Sequence, residues 1–455
     1  MTSDGPSAVL SSDEIEAIAR DAIAEAQAGR TQAALHKLMP LRKAQPRQPE
    51  AAMALLRVVH DRCLQREAAI DVLSEVAQSH DQDFWILSTV GLCLEAARDI
   101  DDLNAPPPDI ALFRLVVEKL SGLAKVHEGQ PEQEPILEGL ATAARMLSRQ
   151  QDAIAESSYR KLTELNPQNS THHYNLGLFY KTRGRFADGA TANQIAASLA
   201  DEVTESYEWN LGICATGAKN ASLALDVWRR MGLAIEIGRF GLPECSLSQC
   251  KVKLAERPLA ERTADQDDPG AEETIWIERL SPCHGIVRSV LYQKLGVDYG
   301  DVILIDGAPI THHTYGEVRV PVFPHLATLE RRNYQLFDFA GTQDSARQLA
   351  DLTAELDEDA VVYSHSESFV MICANCWRDP DLDHDRHEGI EKHVVTGRIA
   401  APAGMAPARL LELIDKAIEK QGRRCQLYAP DLCKAAGLVA REAIDRRRFA
   451  LLTGN

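Results

Sequence analysis

The chain is expected to fold as two domains of different class, an all-α superhelical array of repeated helix pairs followed by an α+β domain. Two observations predict this. Asn175-Leu176-Gly177 returns thirty-five residues later as Asn210-Leu211-Gly212, each time inside an apolar helical run that a second helix follows. Beyond the acidic stretch 256–273, broken by Pro258, Pro269 and Gly270, the pattern changes to short β-branched and aromatic runs. With 455 residues and 45% hydrophobic content, the chain has enough apolar surface for both cores.

In chain order, residues 1–12 read as a disordered tail, and Ser12-Asp13-Glu14 as the N-terminus of an alanine-rich amphipathic helix. Gly29, Ala34, Leu38 and Pro46 then supply a turn, a close helix crossing, a packing position and a stop. A second unit starts at Pro49, with Ala69 and Leu73 at its crossing. A third starts near Phe84-Trp85 and is interrupted by 99–108, whose Pro106-Pro107-Pro108 predicts a rigid extended insertion. A fourth runs from about Glu134 to Pro167, and two more reach Ile235, so residues 13–235 hold about six helix pairs. Residues 236–272 read as a connecting segment and acidic linker.

From 273 to 455 the strand-like runs include Thr274–Glu278, Gly285–Tyr292, Asp301–Ile305, Val318–Val320, Tyr334–Phe339, Ala360–Tyr363, Ser368–Ile372 and His393–Thr396. Helical patterns cover Asp344–Leu356, Ala406–Lys420 and Leu432–Arg448.

The N-terminal pattern resembles the tetratricopeptide repeat. Leu176, Gly177, Tyr180, Gly184 and Phe186 match it position by position, Ala190 and Ala196 supply small crossing residues, and Ala155, Tyr159, Leu162 and Pro167 lie one period earlier. His173 and Asp201 depart from it, standing where the family places tryptophan and proline. The resemblance implies stacked pairs whose concave side holds a protein or peptide segment. By the same resemblance Asn175 and Asn210, with Lys181 nearby, are the partner-binding residues.

A net charge of −18 without a long basic run argues against nucleic-acid binding, and Arg446-Arg447-Arg448 reads as a solvated helix face. No apolar run approaches the length of a membrane span, and Met1–Asp13 lacks the basic-then-apolar order of a signal peptide. The ten cysteines lack the spacing of a disulfide scaffold. A cytoplasmic protein with reduced thiols and no membrane partner is expected.

Reactive residues concentrate in the C-terminal domain. Cys373 and Cys376 close an apolar run, and His384 and His387 follow, giving C-x2-C-x7-H-x2-H, a donor set that can complete a tetrahedral zinc shell. Two alternatives stay open: Cys373 as a core thiol beside a solvated Asp/His loop, and a redox pair. A calcium loop counted from Asp379 fails, since His384 stands where glycine is required and Ile390 where glutamate is. His365-Ser366-Glu367 ahead of the cysteines looks similar to the zinc-deaminase signature, but five intervening residues leave no room for its helix and strand. His284-Gly285 after a strand and Cys373 after a later one resemble caspase-like proteases. That resemblance implies His284 as base and Cys373 as nucleophile, although the residues around Cys373 lack that family's nucleophile motif. Two functions follow: an adaptor, its C-terminal domain zinc-stabilised, or an enzyme with a cysteine- or metal-centred site to which the array brings protein substrates.

Overall fold

The computed structural model describes residues 9–60, 64–80, 110–356, 360–379 and 382–454. Phe84-Trp85 and the insertion 99–108 lie outside the described residues. The chain forms two compact units, one of residues 1–242 with 260–268 and 307–321, the other of residues 243–259, 269–306 and 322–455.

The first unit is built on helices α1 (Ser12–Gln27), α2 (Thr31–Ala44), α3 (Pro49–His60), α4 (Arg66–Ser79), α5 (Ile110–Val126), α6 (Gln133–Leu147), α7 (Asp152–Leu165), α8 (Ser170–Thr182), α9 (Phe186–Leu199), α10 (Glu205–Gly217) and α11 (Ala221–Arg230). The first helix is capped one residue earlier than the sequence suggests. Ser11 accepts from the Glu14 amide while the Glu14 carboxylate takes the Ser11 amide, a reciprocal capping box. The small and apolar residues assigned to the crossings, Ala34, Leu38, Ala69, Leu73, Ala190 and Ala196, are all buried, as are Ala224 and Trp228 of α11. One apolar core runs from Ile15 to Ala192 through successive pairs, as expected where each pair needs a neighbour to cover its face.

The repeated glycine has a steric cause. A Cβ on Gly212 would stand 2.5 Å from the buried Trp228 ring, whose own edge packs on Trp209 at 5.3 Å between centroids. Gly212→Ala is therefore expected to cost about 1–3 kcal/mol through overpacking, visible as a lower melting temperature. Gly122→Ala, at a helical site with nothing within 4 Å of its Cβ position, should be neutral or stabilising. Equal melting temperatures for the two variants would refute the crossing argument.

In the second unit, strands β1 (Cys250–Ala255), β2 (Glu272–Arg279), β3 (His284–Val287), β4 (Val302–Ile305) and β5 (Val318–Glu330) pair in that order, antiparallel. Strand β5 returns parallel to β1, with Lys251 opposite Val322 and Lys253 opposite Pro324, and so closes the sheet on itself. Val252, Leu254, Ile275, Ile277, Val287, Ile303, Ile305 and Phe323 form its core. The segment 236–272 is thus not a linker throughout, since β1 is a paired strand within it. Residues 260–268 belong to the helical unit, where Asp267 receives the Arg149 amide at 2.8 Å and its Nε at 3.1 Å. Its polar, proline-broken composition suggests a linker because the partner that orders it lies more than a hundred residues away.

A second sheet has the order β7-β8-β6-β9, from β6 (Gln335–Gln343), β7 (Val361–Cys373), β8 (Gly389–Ala401) and β9 (Cys425–Tyr428). Helices α14 (Pro407–Lys420) and α15 (Pro430–Ala435) contribute Leu410, Leu411, Ile414, Leu432 and Cys433 to its core, with Phe339, Val395 and Ile399 from the strands. Two predicted helices are shorter than expected. Arg347 sits at φ 71°, and only one turn, α12 (Gln348–Asp351), and a 3-10 turn follow. Gly437 at φ 74° divides the run 432–448 between α15 and α16 (Val439–Thr453), because a left-handed residue ends a helix.

Candidate metal centre

Strands β7 and β8 form a long antiparallel hairpin, paired from Val361 opposite Ala400 to Cys373 opposite Gly389 with a one-residue register shift between Ser364 and Ser366. Cys373 is the last residue of β7, and the Ala374 amide donates to the Glu388 carbonyl at 2.6 Å, which pins the two ends of the connecting loop. The single turn α13 (Ala374–Arg378) then brings Cys376 round to the side of Cys373. His384 and His387 come back from the descending arm of the loop.

Donor atoms of all four side chains lie within 4.8 Å of one another. Cys373 Sγ is 3.5 Å from His384 Nε2, Cys376 Sγ is 3.2 Å from the same nitrogen, and Cys376 Sγ is 3.8 Å from His387 Nδ1. A tetrahedron with Zn–S near 2.3 Å and Zn–N near 2.0–2.1 Å has edges of about 3.3–3.8 Å, so these separations suit one central ion. His384 Nδ1 lies 2.7 Å from the Arg386 carbonyl, which takes its proton and leaves Nε2 as the lone-pair nitrogen facing the sulfurs. Desolvation raises the Cys373 thiol, but contacts from the backbone and side chain of Cys376, the Asn375 backbone and the His387 side chain outweigh it and bring it down to about 6. The Cys376 thiol is raised by its neighbour Cys373. All four protein positions of a tetrahedral shell are thereby supplied, the donor pattern of a structural site.

Other candidates are placed differently. His284 is fully buried, with Nδ1 2.5 Å from Ser281 Oγ, and burial pushes its pKa down to about 4. No hydrogen bond joins it to Cys373 among the described residues, and a wholly buried imidazole cannot reach a substrate. The base-and-nucleophile pairing is therefore not assembled. His365 contacts the Val290 carbonyl at 2.7 Å and Glu367 contacts His393 at 3.1 Å, so neither joins the cysteines as a deaminase would require.

Of the predicted partner-binding residues, Lys181 and Asn210 are buried and bond each other, Nζ to Oδ1 at 2.8 Å, while Asn175 is half-buried. The first two hold adjacent repeats together and do not present themselves to a partner. Next to Asn210, the Trp209 ring lies against Gly307, whose added Cβ would stand 2.8 Å from it. A sequence-distant segment of the same unit therefore lies on this part of the helical face, which local patterning could not reveal.

The cluster 446–448 also divides. Arg446 pairs with Glu442 and Asp431, as a surface residue would, whereas the Arg448 guanidinium lies 4.0 Å from the Trp377 ring centroid. Arg441, Asp445 and Arg448 recur at the spacing of one helix face, a signal in the sequence that marks a shared surface.

The fold is an array of successive helix pairs joined in one chain to a sheet-rich C-terminal region. No protein-family model matches the sequence, and no curated protein sequence does. Among solved structures, PilF of Pseudomonas aeruginosa aligns at 14% identity over 48% of this chain and 90% of its own, with a TM-score of 0.32. PilW, a widely conserved type IV pilus biogenesis factor, aligns at 11% identity over 49% and 93%, with a TM-score of 0.35. A tetratricopeptide repeat protein from Parabacteroides merdae aligns at 12% identity over 48% and 93%, with a TM-score of 0.28. Each similarity covers about half of this chain. Among the described residues no helix is long and apolar enough to cross a membrane.

Proposed function

We propose that the chain is an adaptor: its helical array binds a segment of a partner protein, and its C-terminal region is stabilised by one zinc ion on Cys373, Cys376, His384 and His387. The convergence of these four donors from a strand end, a helical turn and a loop is the observation that carries the zinc reading. Four protein ligands leave no open position for substrate, which favours a structural ion over a catalytic one. With His284 fully buried and in no hydrogen bond to Cys373 among the described residues, the adaptor role is better supported than a cysteine protease. The described cysteines are free thiols, and a thiolate metal site needs them reduced, so we place the protein in the cytoplasm.

Stacked helix pairs support protein binding in general, and the half-buried Asn175 is the groove residue retained for contact. Peptide phage selected on the immobilised full-length protein should converge on one consensus segment. Binding of that peptide should weaken about tenfold in Asn175→Ala and stay unchanged in Cys373→Ser, Cys376→Ser held well below its melting temperature. A selection without consensus, or a peptide indifferent to Asn175, would count against groove binding.

A further inference from the structure

A cleft of about 760 Å³ opens beside the candidate metal centre, within the C-terminal unit. Its walls come from α13 (Trp377, Arg378), β9 (Gln426, Tyr428), α14 (Asp415, Ile418) and α16 (Arg441, Ile444, Arg448). Trp377 and Tyr428 meet edge to face with centroids 5.9 Å apart, and the Arg448 guanidinium stands 4.0 Å from the first ring and 6.0 Å from the second. Lys392 Nζ is 4.8 Å from the Trp377 ring as well.

The charges do not cancel. Arg441 is satisfied by a two-pronged bond to Asp415 at 2.6 and 2.8 Å. Asp445, the other carboxylate in the wall, is buried and already accepts from the Ala429 amide and the Cys433 thiol. Among the described residues no acceptor pairs with Arg448, and its buried Nε has no hydrogen-bond partner. A buried N–H without an acceptor is costly, and in a chain of net charge −18 with many carboxylates to spare the unpaired Nε of the half-buried Arg448 points into the cleft's chemistry. Ile418 and Ile444 add apolar lining to the cleft.

We propose that this cleft binds a small organic anion, an aromatic or apolar body bearing one carboxylate or phosphate. The head group takes hydrogen bonds from Arg448 and lies near Arg378, and the body packs on Trp377, Tyr428, Ile418 and Ile444. The volume suits a ligand of metabolite size, and neither the four candidate zinc ligands nor any residue of the array lines the cleft.

The test is calorimetric titration of the full-length protein with phenyl phosphate and, separately, phenylacetate, beside inorganic phosphate and benzyl alcohol as half-ligands. At least one aromatic anion should bind saturably, one per chain, with a Kd below about 1 mM, and each half-ligand about tenfold more weakly. The tighter anion assigns the head group. Arg448→Met keeps the stem over Trp377 and removes the donors, and should weaken binding about tenfold or more. Ile444→Glu, at an exposed position one helical turn before Arg448, sets a carboxylate at the i,i+4 spacing that pairs with its guanidinium in the ligand's place, and should give a comparable loss at an unchanged melting temperature. Absence of saturation by both anions up to about 10 mM, or wild-type binding by both variants, would overturn the proposal.

Discussion

Purified protein is expected to carry one zinc per chain, and the Cys373→Ser, Cys376→Ser variant none. The ion would tie a strand end, one helical turn and two loop histidines, of which Cys373, Cys376 and His384 are only half-buried and His387 is exposed. In zinc-finger peptides, where the ion creates the whole fold, such a site is worth about 10–16 kcal/mol. Here the sheet has its own core, so a smaller effect is expected, about 3–5 kcal/mol, lowering the melting temperature by roughly 10 °C. Strong chelation of the wild type should have the same result. Elemental analysis with thermal unfolding checks both parts. Wild-type protein free of metal, or a double variant that melts with the wild type, would remove zinc from the description.

Acid should destabilise the protein through two buried histidines. Burial pushes His284 down to about 4 and His325 down to about 3, from 6.5 in an exposed imidazole. Between 6.5 and those values the unfolded chain binds protons that the folded one refuses, so stability is complete above pH 6.5 and falls as pH drops through the window. At 1.36 kcal/mol per unit, the upper bounds are roughly 3 kcal/mol for His284 and 5 kcal/mol for His325, large beside the usual stability of a domain. His325→Leu removes the larger contribution. Its urea midpoint should fall less than the wild-type midpoint between pH 7 and 5, and parallel curves would show that other groups govern acid unfolding.

Much of the fold was legible because local rules governed it. The thirty-five-residue return of Asn-Leu-Gly placed α8 and α10, and small residues at the crossings marked partners that lie one helix away in sequence. The candidate metal centre was legible for the same reason: its four donors fall within fifteen residues, and chemistry sets their spacing. Errors came where a distant segment decided the outcome. Strand β1 looked like linker because its partners, β2 and β5, supply the hydrogen bonds that a short polar-flanked run cannot signal. Lys181 and Asn210 looked like groove residues by resemblance, but both are buried and the bond between them joins consecutive repeats.

The sequence by itself determined the helix-pair period, the small residues at the crossings and the Cys/Cys/His/His spacing, each a matter of spacing along a single helix, strand or loop. Only the tertiary structure decided that β5 closes onto β1, that His284 is sealed away from Cys373, and that Arg448 stands over Trp377 with no acceptor. The physical reason is that burial and charge balance belong to the set of neighbours, and neighbours far apart in the chain leave no periodic trace in it.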